Sequence, residues 1–145
     1  MSLRRLRVGE LLALAGSGCV VASLLLPWYE SAIGQLDAWD TFGPGMVLIL
    51  AALCAALAMV ASALTERSMA LPVATAVWCV LLALMAVIAA VVRVLERPDQ
   101  ATSLCAGAWL ALVGSALILI GAWLALRDER PSMYERATPE PRPRP

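Results

Sequence analysis

Four separate apolar runs, at 8–26, 46–64, 69–92 and 104–126, constrain this chain more than any other feature. Each is long enough to cross the hydrocarbon core of a bilayer, which takes roughly 20 residues. In lipid a backbone must satisfy its own hydrogen bonds, so such runs are helices unless they alternate as barrel strands do. The stretch "LALVGSALILIGAWLAL" at 110–126 does not alternate. Of the 145 residues 61% are hydrophobic, with a mean hydropathy of +0.81. A soluble domain is about 45–50% apolar. The expectation is therefore an all-α integral membrane protein. It is a four-helix antiparallel transmembrane bundle over residues 1–127, with no room for a soluble domain beside it.

Arginine placement predicts which way up the bundle lies. Arg4, Arg5 and Arg7 precede the first run, Arg67 lies in the turn "TERS", and Arg127, Arg130, Arg136, Arg142 and Arg144 follow the fourth. With four crossings these segments share one side and carry nine arginines, against Arg93 and Arg97 on the other. Both termini are thus expected in the cytoplasm, at the plasma membrane. The loop "LLLPWYESAIGQLDAWDTFGPG" then faces outward, with Glu30, Asp37 and Asp40 and no base. Trp28 and Tyr29 stand where the first crossing emerges. Trp109 and Trp123 are fourteen residues apart, about 21 Å along a helix. All four read as anchors at the lipid–water boundary.

Small residues recur every seven positions. Gly107, Gly114 and Gly121 do so in the fourth run, Gly9, Gly16 and Ser23 in the first, and Ala76, Ala83 and Ala90 in the third. Seven residues nearly close two helical turns, so each set forms one stripe. In lipid, close backbone approach through small residues drives helix packing. The glycines are expected to be helix-packing positions, with a dimerisation face as their alternative use.

Chemistry-bearing residues are sparse. Cys19, Cys54, Cys79 and Cys105 are far apart in sequence and the first three fall near mid-membrane, so they read as small packing residues. The chain has no histidine, the commonest ligand of zinc and haem. No cofactor or metal is expected, and no arginine block interleaved with aromatics suggests nucleic acid. Glu10, the candidate intramembrane acid, follows the arginine cluster. An acid there resembles the essential glutamate of small multidrug exporters, which lies deeper in its crossing. Here it is expected at the cytoplasmic boundary, near the positive helix start, answering Arg7 or Arg67. Arg93 is expected to snorkel outward with Glu96 one turn on.

In the outer loop, "DAWD" reads either as an N-cap and a short interfacial helix, with Ala32, Leu36 and Trp39 on its inner face, or as part of a hairpin turning at Gly34. Glu30, Asp37, Trp39 and Asp40 form the candidate outer surface. Residues 128–145 alternate proline with charge and are expected to be a disordered cytoplasmic tail. The start "RRLRVGELLALAGSGC" imitates a lipoprotein signal, but Gly16 stands where such signals carry leucine. An uncleaved first crossing is expected.

"LPWY" at 26–29, "AWDTF" at 38–42, "LPV" at 71–73 and "GAWLALVGSALILIGAWLALRDE" at 107–129 resemble a group of uncharacterised four-crossing membrane proteins of actinobacteria and their relatives. The resemblance covers the chain except its last sixteen residues. The group has no established activity, so the resemblance implies address and topology rather than a reaction. Function is expected to be non-enzymatic, an accessory or structural role exercised on lipid and on other membrane proteins or a second copy. The alternatives are a small transporter or channel subunit using Glu10, and a membrane enzyme using the outer acids.

Overall fold

A computed structural model describes residues 7–32, 34–65, 70–96 and 101–128. Arg4, Arg5, Arg67, Arg97 and all but the first residue of the expected tail lie outside them. Four long helices dominate: α1 (Val8–Leu25), α3 (Met46–Thr65), α4 (Ala70–Leu95) and α5 (Ala106–Asp128). All four are long and apolar enough to cross a membrane. Between α1 and α3 lie β1 (Tyr29–Ser31), β2 (Gly34–Leu36) and the short helix α2 (Ala38–Phe42). Strand β3 (Ala101–Leu104) precedes α5.

Three expected bounds move by two residues or more, one of them the end of the fourth helix, at Asp128 rather than 126. The fourth helix starts at Ala106 rather than 104, because Leu104 pairs with Tyr29 in a sheet. The third runs on to Leu95 rather than 92, keeping the Arg93 carbonyl in its last turn. That carbonyl has a tertiary partner in the Tyr29 hydroxyl.

The helices close into a ring in the order α1, α5, α4, α3, with α1 packed most extensively on α5. Between the helices the interior is built mostly from small side chains, with a few larger ones such as Ile49, Met59 and Ile118. On α4, Ala76, Cys79, Ala83, Ala86 and Ala90 are buried at alternating steps of three and four, and on α3 so are Ile49, Ala52, Ala56 and Met59. This 3.5-residue repeat keeps one face of each helix toward its neighbours. Large residues point the other way: Leu11, Leu14, Val21, Leu57, Leu81, Leu84, Ile88, Val113 and Ile120 are exposed. Soluble monomers rarely expose so continuous an apolar surface. Small inside and large outside is the arrangement expected when lipid covers the outside.

The glycine stripes of α1 and α5 face each other. A methyl group added to Gly16 would stand 2.6 Å from the Gly114 carbonyl oxygen and 2.8 Å from the Ile118 nitrogen. One added to Gly114 would stand 2.9 Å from the Gly16 oxygen. Gly9 and Gly121 repeat the arrangement seven residues along: a methyl group added to either would stand 2.6 Å or 2.5 Å from the other's carbonyl oxygen. Distances under 3 Å to backbone leave no room for a side chain, so the two helices touch main chain to main chain. The buried hydroxyls do not interrupt this seam. Ser17 donates to the Ala13 carbonyl at 2.8 Å, Ser23 to Val20 at 2.7 Å and Ser115 to Leu112 at 3.1 Å, each within its own helix. Bonded this way, a serine is satisfied where no water reaches.

The sheet end as candidate functional site

An antiparallel up-down bundle returns both of its long connections to one end. Here they pair with each other. The strands lie in the order β2–β1–β3, with Tyr29 opposite both Leu36 and Leu104, and Glu30 opposite both Gln35 and Ser103. Ser31 then faces Ala101, so Thr102 is an extra residue on β3. Such a bulge twists a strand locally. The Thr102 hydroxyl donates to the Glu30 carbonyl at 2.8 Å, and Ser103 donates to the Glu30 carboxylate at 3.1 Å. Glu30 is thereby held across the sheet, on its exposed side.

Trp28 and Tyr29 require a correction: both are completely buried rather than placed at a lipid–water boundary. Pro27 ends α1, and the chain turns over the bundle instead of leaving it. The Trp28 indole N–H donates to the Ser23 carbonyl at 2.8 Å. The Tyr29 hydroxyl donates to the Arg93 carbonyl at 2.6 Å. Ser23 and Arg93 lie in the last turns of α1 and α4, where carbonyls have no partner within the helix. Two adjacent aromatic residues thus close the ends of two different helices.

Gly107 makes this possible. A methyl group there would meet the Pro27 oxygen and Trp28 Cδ1 at 2.7 Å and the Leu26 oxygen at 2.8 Å. Its N–H donates to the Pro27 carbonyl at 3.1 Å, and Cys105 N–H donates to that of Trp28 at 2.9 Å. Gly107 therefore receives the loop, while Gly114 and Gly121 receive α1.

The two readings of "DAWD" each describe part of what forms. Strands β1 and β2 form a hairpin, and a five-residue helix follows Asp37. The shared inner face proposed for Ala32, Leu36 and Trp39 does not exist. Ala32 is exposed in the turn, Leu36 is half-buried in β2, and Trp39 on α2 is 61% exposed. Asp37 makes no side-chain cap; instead the Thr41 hydroxyl reaches back to its carbonyl at 2.9 Å. Gly43, at φ +49°, ends α2 in the left-handed region that glycine occupies without strain. A 3-10 turn over Gly43–Gly45 then leads into α3. Glu30, Asp37, Trp39 and Asp40 are all exposed at this end.

The remaining candidates lie elsewhere. Glu10 sits at the opposite end, where its carboxylate accepts the Arg7 backbone N–H at 3.0 Å. This is the reciprocal half of a capping box and satisfies a donor at the start of α1. Trp109 and Trp123 are 51% and 56% exposed. All four cysteines are free; Cys79 is buried and Cys54 exposed. Among the described residues no group of acids and cysteines converges as a metal site would require.

Sequence reasoning missed β3 and the inward turn of Trp28. The available signal was topological: both long connections fall at one end, so a strand from each was free to pair. Comparison with protein-family models, curated proteins and solved structures finds no match. The resemblance to four-crossing actinobacterial proteins therefore rests on its quoted segments alone.

Proposed function

We propose that this chain is a non-enzymatic accessory protein of the plasma membrane, with both termini cytoplasmic and the sheet end outside. It works by presenting that end to another membrane protein. The observation that supports this is the construction of the cap. Trp28, Tyr29 and Gly107 fix three strands onto the helix ends, while Glu30, Asp37 and Asp40 remain on its surface. Locking the two loops to each other stabilises the helix ends and also leaves the surface of the cap rigid. A rigid, acidic surface suits recognition, because less conformational entropy is lost on contact. The interior offers little to transport or catalysis: Ser17, Ser23 and Ser115 are turned onto their own helices.

The test is photo-crosslinking in native membranes from probes at Gln35 and Asp40, beside probes at Leu84 on the outer face of α4. A defined protein adduct from the cap positions that is absent from Leu84 is expected. Only lipid adducts from all three positions would overturn the reading, as would solute flux into vesicles that disappears in Glu10→Gln. Accessibility of a cysteine at Gln35 to an impermeant thiol reagent in whole cells tests the orientation.

A further inference from the structure

We infer that four exposed tryptophans mark the two faces of the bilayer, Trp39 and Trp109 at the sheet end and Trp78 and Trp123 at the other, an assignment that rests on the membrane-spanning reading above. The five tryptophans divide sharply: Trp28 is 0% exposed, whereas Trp39, Trp78, Trp109 and Trp123 are 61%, 64%, 51% and 56% exposed. Heights follow from the helix ends that carry the sheet. Trp109 lies three residues from Ala106, in the first turn of α5, and Trp39 lies on α2 before α3 begins. Trp123 is seventeen residues from Ala106, and Trp78 is seventeen residues from Leu95. At a rise of about 1.5 Å per residue both are roughly 25 Å from the sheet end. The two helices are neighbours whose sheet-end termini meet the same cap, so the equal counts put both rings at a similar level.

The spacing of the levels fits a bilayer. Trp109 and Trp123 are separated by about 21 Å along α5. α1, with 18 residues, covers about 27 Å, close to the roughly 30 Å of a hydrocarbon core. Indole prefers the boundary because its ring is apolar while its N–H needs a partner. The N–H of Trp28 already has one in the Ser23 carbonyl. Trp39 then rests among headgroups at the edge of the cap, leaving Glu30, Asp37 and Asp40 for a partner above the surface.

Depth-dependent fluorescence quenching tests this with the full chain in phosphatidylcholine–phosphatidylglycerol vesicles containing lipids brominated at chosen acyl positions. Each variant keeps Trp28 and one exposed tryptophan, with the others changed to Phe, and a variant with Trp28 alone supplies the baseline. The replaced rings are exposed, so the interior is untouched. Trp78, Trp109 and Trp123 are expected to be quenched more by bromines near the headgroup than by bromines near the chain ends. Trp39 is expected to be quenched only by the shallowest, and Trp28 scarcely at any depth. Strongest quenching of Trp78 or Trp123 from the chain ends overturns the two-level assignment while leaving the membrane reading in place. No quenching of any exposed tryptophan by any brominated lipid overturns the membrane reading itself.

Discussion

The pairs α1–α5 and α3–α4 solve one packing problem in two ways. α1 and α5 bring glycines face to face, so that carbonyl oxygens lie where side chains would be. Neither α3 nor α4 contains a glycine. Their buried faces carry alanines together with Ile49, Met59 and Cys79, and the Ser62 and Thr75 hydroxyls stand 3.1 Å apart across the pair. In the first pair dispersion between closely approaching main chains supplies much of the attraction, with the Leu117 and Val20 side chains beside the glycines. In the second, side chains lie between the backbones and are able to shift. The two pairs should therefore differ in tolerance to added bulk far more than in polarity or length.

The largest effect is expected from Gly114→Leu, which pushes a side chain into the Gly16 carbonyl. Its cost should exceed the ~1–3 kcal/mol usual for overpacking, to the point that no folded bundle is recovered in detergent. Gly18→Leu is its control, because nothing stands within 4 Å of that position; a shift within ~0.5 kcal/mol is expected there. Trp28→Ala comes next, at about 3–5 kcal/mol for an emptied aromatic site, read as the midpoint of detergent-induced unfolding. It should loosen β1 and β3 together, seen as faster amide exchange in both strands. Ala83→Leu, on the buried face of α4, should cost about 1–3 kcal/mol; a cost equal to that of Gly114→Leu would erase the distinction between the pairs. Ser62→Ala removes the bond to Thr75 and should cost about 0.6 kcal/mol, the average for such bonds in membrane helices. Smallest of all, Glu10→Gln keeps an acceptor for the Arg7 N–H and should shift stability by less than ~0.5 kcal/mol.

The helices were legible because the pattern that makes them is local. Hydrophobic length determines a span, and the seven-residue recurrence of Gly9 and Gly16, and of Gly107, Gly114 and Gly121, determines a stripe along each helix. Even the pairing partner was implicit, since two glycine stripes of matching period on antiparallel helices fit each other along their length. The cap was not legible in the same way. "ATSL" at 101–104 is too short to carry a strand signal of its own, and it becomes a strand only because β1 lies beside it. "LPWY" has the composition of an interface anchor, and nothing in those four letters says that Gly107 leaves a space for Trp28.

The sequence by itself determined that four apolar helices form, where they start to within a few residues, and which faces are smooth enough to pack. Only the tertiary structure decided what happens at their ends. Trp28 and Tyr29 turn inward because the carbonyls of Ser23 and Arg93 need donors. The first lies five residues back on the same chain and the second sixty-four residues ahead. Once the bundle brings those helix ends together, the two rings have partners there, and Trp39, Trp78, Trp109 and Trp123 are left to face outward.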